Sequence, residues 1–368
     1  SGRKQRNQKI EPVTDLAAVQ IGGGCGQQQH GQQPQEKHRG HLRRDTRRRT
    51  LLNRNQPPMA FDRRAVPAGA SFGTWDAPDG WRHRTFAWTA DGGRGTLLFQ
   101  GGRGDIVEKY LEAFVRWHAA GWSVLSFDWR GQGGSGRLCA DPRVGHCDDF
   151  GHYVADLTAF WAEFVMPRPG PHVVVAHSMG GHLALRALIE RKISPAAAVL
   201  VAPMLGLRSK PLNPRVGARV AWLMTRIGRP DRLAWKSNER PGVPHSGRQA
   251  LLTHDRDRYE DELWWKRSKP EIAVGPPSWA WVAEAYRSTL AMEEPGRLEQ
   301  VTTPVLLLSA EADQLVDPAA IRRAAARLPN ATLRSWGSEA AHELLREADP
   351  VRDAALAEID AFLQAHAV

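Results

Sequence analysis

His172-Val-Val-Val-Ala-His-Ser-Met-Gly-Gly181 decides how this chain folds. Its valines read as a short buried strand, and a helical pattern, Leu183–Arg191, starts directly after the glycines. A strand that runs straight into a serine and out into a helix must turn very tightly. The residues two before and two after that serine therefore have to be small. Gly180 meets this demand fully, and Ala176 meets it with one added methyl. Such a turn lifts the Ser178 hydroxyl above the sheet, near the positive end of the following helix. It also turns the Met179 N–H toward a developing oxyanion. Ser178 is the candidate nucleophile.

A serine hydroxyl needs a general base, and the base needs a carboxylate to fix its tautomer. With a strand–serine–helix turn these partners are expected further along, in the order acid then histidine, each past the end of a later strand. Pro304-Val-Leu-Leu-Leu-Ser309 reads as a strand, with Glu311-Ala-Asp313 beyond it. Thr332–Trp336 reads as the last strand, and His342 follows in Ser338-Glu-Ala-Ala-His-Glu-Leu. Asp313 and His342 complete the expected triad. Asp317 and Glu311 are the reserve acids, and His366 is a poor reserve base. A second oxyanion donor is expected from Gln100-Gly-Gly-Arg-Gly-Asp105, with the Arg103 N–H favoured and Gly102 adjacent.

The same glycines raise a dinucleotide-binding reading. Gly102-x-Gly104 follows a strand, and Asp128 ends the next one. The third glycine position is Val107, however, and Asp105 sets a carboxylate where a pyrophosphate would lie. Gly131-x-Gly133-x-x-Gly136 has the full spacing but leads into the loop Arg137–Gly145. Neither match competes with the serine turn.

Outward from this centre, strand-like and helix-like segments alternate, which predicts a mostly parallel sheet covered by helices. Thr85–Trp88 and Thr96–Gln100 read as strands joined by the turn Asp91-Gly92-Gly93. Asp105–Ala120 reads as a helix with Ile106, Tyr110, Phe114 and Trp117 on one face. Ser123–Asp128 and Ala197–Ala202 are further strands, while Phe150–Val165, Ala319–Leu328 and Asp353–Ala365 are further helices. From 204 to 290 the alternation stops. That stretch holds six of the 14 tryptophans, with 16 Lys/Arg against 9 Asp/Glu, and its pattern is mostly helical. So long an insertion between core strands is expected to be functional, and it reads as a helical cap. The two parts of the core are then 59–203 and 291–368.

The net charge of +10 does not mark a nucleic-acid binder. Residues 1–58 carry 12 Lys/Arg against 4 Asp/Glu, whereas the remaining 310 carry 38 against 36. The basic stretch is rich in Gln, Gly and Arg and has no apolar period. It reads as a disordered tail, or as upstream sequence translated ahead of Met59. Cys25, His30, His38 and His41 within it fit no zinc spacing. Cys139, His146 and Cys147 share one loop and read as reduced bystanders, with no metal called for. Three cysteines and no membrane-length apolar run predict a cytoplasmic setting.

These motifs together resemble the α/β-hydrolases. More narrowly, the chain is similar to the monoacylglycerol lipase and bacterial lysophospholipase group, often labelled serine-aminopeptidase-like hydrolases. The similarity is carried by Gly102–Tyr110, Asp128-Trp-Arg-Gly-Gln-Gly-Gly-Ser-Gly136, Ala176–Gly181, Pro304–Asp313 and His342-Glu-Leu, and spans about residues 80–368. The departures are Ala176 for glycine and the missing histidine before Gly102. The resemblance implies hydrolysis of a single-chain carboxylic ester through an acyl-enzyme, without a cofactor. It makes Trp222, Trp264, Trp265 and Trp281 candidates for lining an acyl cleft. It also makes a phosphate-bearing head group or an anionic membrane surface the expected partner of the cap's positive charge.

Overall fold

The computed structural model describes residues 61–209, 213–235 and 242–367. The tail, Met59 and the Cys25–His41 readings lie outside them.

Short β-branched and leucine-rich runs give the strands β1 (Ser71–Asp76), β2 (Arg82–Trp88), β3 (Gly95–Gln100), β4 (Trp122–Phe127), β5 (His172–His177), β6 (Ala197–Val201), β7 (Val305–Ala310) and β8 (Ala331–Trp336). They form one sheet in the order β1-β2-β4-β3-β5-β6-β7-β8. β2 runs antiparallel to both of its neighbours, and every pair from β4 to β8 is parallel. The glycine turn at 91–93 therefore does not close a hairpin between β2 and β3, because β4 lies between them. The antiparallel hairpin is made by β1 and β2 instead. β1 was not anticipated: of its six residues only Trp75 is buried, so its apolar alternation is faint.

β3, β4, β6 and β7 are buried along their whole length, and β5 along all but His172, as expected for strands covered on both faces. Alternate side chains serve opposite layers. Leu98, Val174 and Leu307 pack with α2 (Phe150–Phe160), α3 (Met179–Ile189) and α8 (Pro318–Arg327). Phe99, Val175 and Leu308 pack with α1 (Leu111–Ala119) and α9 (Asp349–His366). Ile106, Tyr110, Phe114 and Trp117 are buried as the helical spacing required, although a 3-10 turn over Val107–Tyr110 precedes the α-helix. Between β6 and β7 lie α4 (Pro214–Arg226), α5 (Ser246–Leu252), α6 (Arg256–Ser268) and α7 (Trp279–Met292). The loops after β3, β5, β7 and β8 all emerge at the carboxyl edge of the parallel strands, where open α/β sheets bind their ligands.

Candidate active site

β5 is hydrogen-bonded to β3 on one side and β6 on the other, so its end is held rigidly. Ser178 follows with φ 52° and ψ −116°, a left-handed conformation that a residue with a Cβ adopts only under constraint. The constraint is visible at Gly180. A Cβ there would lie 2.5 Å from the Gly101 carbonyl oxygen and 2.6 Å from that of Gln100. Ala176 is fully buried, and its methyl is absorbed by the core layer that includes α3. Small residues on both sides of the serine thus let α3 start against the loop that follows β3.

Ser178 Oγ stands 2.9 Å from His342 Nε2, and His342 Nδ1 stands 2.6 Å from Asp313 Oδ2. The other oxygen of Asp313 accepts the N–H groups of Leu315 at 2.7 Å and Val316 at 3.1 Å. His342 and Asp313 are both buried. Burial works against an imidazolium, but the Asp313 carboxylate, its hydrogen bond, Glu343 and Asp105 hold His342 above its ordinary range. Burial likewise opposes the Asp313 charge, and His342 with the two backbone donors holds this carboxyl below its ordinary range. His177, packed beside His342, is pushed down to about 4 by burial and by the neighbouring imidazole. The two histidines therefore titrate far apart. The reserve groups have other duties: Asp317 caps α8, Glu311 pairs with Arg322, and His366 packs on Phe362 in the last helix.

The loop after β3 presses on Ser178, since a Cβ on Gly102 would come within 2.9 Å of Ser178 Cβ. Gly102 is nonetheless removed as an oxyanion donor, because its N–H is committed to Asp105 Oδ2 at 2.6 Å. Gly104 donates to Gln132 Oε1 at 2.6 Å. The second contact gives the Asp128–Gly136 block its structural meaning. Gln132 holds the loop, while Asp128 accepts from Arg84 and from the Gly134 N–H, and Arg130 grips Asp156 through two hydrogen bonds. Met179 opens α3, so its N–H has no acceptor within the helix.

A buried ionic cluster beneath this loop was invisible in the sequence. Lys109 Nζ reaches Asp105 at 2.6 Å, Glu343 at 2.5 Å and Glu262 of α6 at 3.2 Å. Glu262 and Glu343 also hold Arg346, and Glu262 holds Lys266. One ammonium thus ties together the loop after β3, the residue following His342, and the insertion. Burial disfavours its charge, yet the three carboxylates keep Lys109 above the usual lysine range. Further ties seat α5 on the histidine loop: the His342 and Glu343 N–H groups donate to the Leu251 and Leu252 carbonyls. Removing the cation while leaving three buried carboxylates is expensive. Lys109→Met is expected to lower the unfolding free energy by about 3–5 kcal/mol. A urea midpoint within error of the parent's would contradict this.

A cavity of about 130 Å³ opens over Ser178. It is lined by Arg103, Met179, Trp235, Arg248, Trp281 and His342 among others. Of the four anticipated tryptophans only Trp281 reaches it. Its buried indole N–H has no acceptor among the described residues, and the Arg103 guanidinium lies 5.6 Å from its ring centre. Trp265 is buried against the opposite core layer with its indole donated to the Arg63 carbonyl, and Trp264 stacks edge-on against it. Trp222 lies exposed on α4 and lines a separate groove. The four tryptophans share one stretch of the chain, but they sit on three different helices, α4, α6 and α7, which place them in different surroundings. In the loop before α2, Cys147 is buried and its thiol is pushed up to about 12, while His146 bonds Ser278.

A mostly parallel sheet with a serine at the β5 turn, and its acid and histidine on the loops after β7 and β8, defines an α/β-hydrolase of the serine type. The family model described as serine aminopeptidase, S33, matches residues 92–349, and the chain belongs to that family. It is 34% identical over 273 residues to lysophospholipase L2 of Escherichia coli strain K12, covering 72% of this chain and 79% of the relative. The probable lysophospholipase L2 of Haemophilus influenzae is 27% identical over 271 residues, covering 73% of this chain and 84% of that protein. Among solved structures, a soluble variant of monoglyceride lipase from Saccharomyces cerevisiae superposes with a TM-score of 0.65 at 18% identity, over 84% of this chain and all of that one. Monoacylglycerol lipase of Paleococcus ferrophilus gives 0.60 at 19% identity, over 77% and 98%. The fold and family are those of serine ester hydrolases.

Proposed function

We propose that the protein hydrolyses the carboxylic ester of a single-acyl-chain lipid, of the lysophospholipase or monoacylglycerol lipase type. The observation that carries this reading is the hydrogen-bonded line Ser178–His342–Asp313 at a strained strand–helix turn. The naming of its 34%-identical relative adds the lipid class.

In this reading, His342 Nε2 takes the Ser178 proton as Oγ attacks the ester carbon. The Met179 and Arg103 N–H groups receive the oxyanion. Asp313 holds Nδ1 protonated and stabilises the imidazolium. The proton then passes to the departing alcohol oxygen, and the acyl group stays on Ser178. Water enters and gives a proton to His342 as its oxygen attacks the acyl carbon; His342 then passes that proton to Ser178 Oγ as the acyl bond breaks, releasing a fatty acid. Trp281 forms one wall for the substrate, and residues 204–290 act as the cap. A 130 Å³ space is below the roughly 300–1,000 Å³ of typical ligand sites, so a long acyl chain enters as the cap shifts. We place this activity in the cytoplasm, against an anionic membrane surface.

The test is a set of initial rates on lysophospholipids, monoacylglycerols, short nitrophenyl esters and an aminopeptidase substrate. Single-chain lipid esters are expected to exceed the peptide substrate by at least about a hundredfold in kcat/KM. Peptide turnover equal to or above ester turnover would reject the reading.

A further inference from the structure

β8 ends at Trp336 and the next helical turn begins at Leu344, so His342 stands on irregular backbone. Its imidazole must nevertheless meet Ser178 on one side and Asp313 on the other. The support comes from the insertion. Residues 251–254, where α5 ends, lie along 342–347 and are bonded to them at every step. The Leu251 and Leu252 carbonyls accept the His342 and Glu343 N–H groups at 3.4 and 2.8 Å. The Thr253 hydroxyl donates to the Arg346 carbonyl at 2.7 Å, and His254 reaches the Glu347 carboxylate. Buried backbone groups outside helices and strands must find partners. These two irregular segments find them in each other.

Glu347 closes this run in an uncommon setting for a carboxylate. It is fully buried, yet among the described residues no lysine or arginine pairs with its side chain. Its ionic partner is His254, whose own side chain is about half exposed. A buried carboxylate is costly unless hydrogen bonds replace its water. Four donors do so. Oε1 accepts the Ala341 N–H at 2.7 Å and His254 Nδ1 at 3.0 Å. Oε2 accepts the His254 N–H at 3.0 Å and the Ala348 N–H at 3.1 Å. The shortest of the four bonds holds the residue directly before His342. Lys109 grips Glu343, the residue directly after it. His342 is thus bracketed.

We infer that Glu347 is a positioning residue for His342, one that makes the aim of the imidazole at Ser178 depend on the seating of residues 251–254. This rests on the proposed reading, in which His342 takes the Ser178 proton. Glu347→Gln is nearly isosteric and singles out one contact. The Oε2 side faces two backbone N–H groups, which only donate, so the amide oxygen must lie there. The amide nitrogen then falls on the side of Ala341. His254 Nδ1 can accept from it in the other tautomer, whereas the Ala341 N–H cannot and is left without its partner. The change therefore frees the residue before His342 and keeps the remaining ties to the insertion.

The experiment uses the full chain and a short soluble nitrophenyl ester, with rates expressed per Ser178 titrated to completion by a fluorophosphonate, so that unfolded protein is not counted. Glu347→Gln is expected to lower kcat by about tenfold or more, with KM within about twofold of the parent's. The acid limb of its kcat profile should move to lower pH, because a displaced imidazole loses part of its bond to Asp313. The rate of fluorophosphonate labelling, which needs His342 but no particular substrate, should fall in parallel. Thr253→Val removes the bond to the Arg346 carbonyl and spares every contact of Glu347. It is expected to show the same changes at a smaller size, about threefold in kcat, and it carries the test if Glu347→Gln does not fold. A kcat per titrated serine and an acid limb both equal to the parent's would overturn the inference and leave Glu347 a structural carboxylate. A raised KM at unchanged kcat would overturn it too, assigning the contact to substrate entry. A parent that is labelled at Ser178 but turns over no ester would reject the ester reading instead, and the labelling rates would still test Glu347.

Discussion

Ser178→Ala is expected to lower kcat/KM on an ester substrate by at least about 10⁴-fold while leaving thermal stability nearly unchanged. The catalytic part follows from geometry. Ser178 Oγ is the atom hydrogen-bonded to His342 Nε2, and no other hydroxyl among the described residues is bonded to that nitrogen. Without it, residual turnover depends on water and on whatever the backbone donors contribute. The stability part follows from what the hydroxyl does not do. It caps no helix: the N-cap position of α3 carries no side-chain hydrogen bond. Alanine keeps the Cβ and therefore keeps the backbone strain at φ 52°. Ser178→Gly is equally inactive but relieves that strain, and should raise the unfolding free energy by about 1 kcal/mol. Retained activity in the alanine variant would reject the nucleophile. A glycine variant less stable than the alanine one would show that the turn is not strained.

The site was more legible than its surroundings because its constraints are local. A tight strand–serine–helix turn needs small residues at fixed offsets, and Ala176 and Gly180 display them in a ten-residue window. Asp313 and His342 were legible for a related reason, since each follows a recognisable buried strand. Pairing was harder to read. A glycine turn between Trp88 and Gly95 looks the same whether the flanking strands are neighbours or, as here, separated by β4. The ionic cluster had no signature at all. Lys109, Glu262 and Glu343 are far apart in the chain, and each looks like an ordinary surface charge until the fold buries them together. The outward stripe of α4, where Val216, Val220 and Leu223 are exposed, was legible in principle, because these residues have helical spacing. Periodicity marks an apolar face, however, without telling which way it turns. The small residues Gly217 and Ala221, which permit close approach to α7, were the missing signal.

Those small residues and the lysine cluster bear on one another through the insertion. On its inner side, α5 and α6 are bound to the histidine loop by backbone hydrogen bonds and by Glu262. On its outer side, α4 rests on α7 through small side chains, a contact with fewer polar ties. Movement that admits a long acyl chain is therefore expected at α4 and the segment leading to Trp235, not at α6. His342 is then expected to stay in place while the entrance adjusts.

Asp313→Asn is expected to lower kcat by about 10⁴-fold, as much as a loss of the nucleophile's partner would suggest, although the replacement is nearly isosteric. The reason lies in the two backbone N–H groups of Leu315 and Val316. Both donate to Asp313 Oδ1, so in the amide the carbonyl oxygen must occupy that position. The amide nitrogen then faces His342 Nδ1 and donates to it. Nδ1 becomes the acceptor, the proton moves to Nε2, and the ring presents an N–H to Ser178 where a lone pair is needed. The pH dependence separates this account from a general loss of structure. In the parent, activity requires neutral His342. Because the site holds that imidazole above its ordinary pKa of about 6.5, activity should rise with pH through a value above that figure. In the variant the carboxylate that opposed burial is gone, so the residual activity should titrate at lower pH than in the parent. A loss below about tenfold, or an acid limb that stays where it was, would show that Asp313 does not set the state of His342.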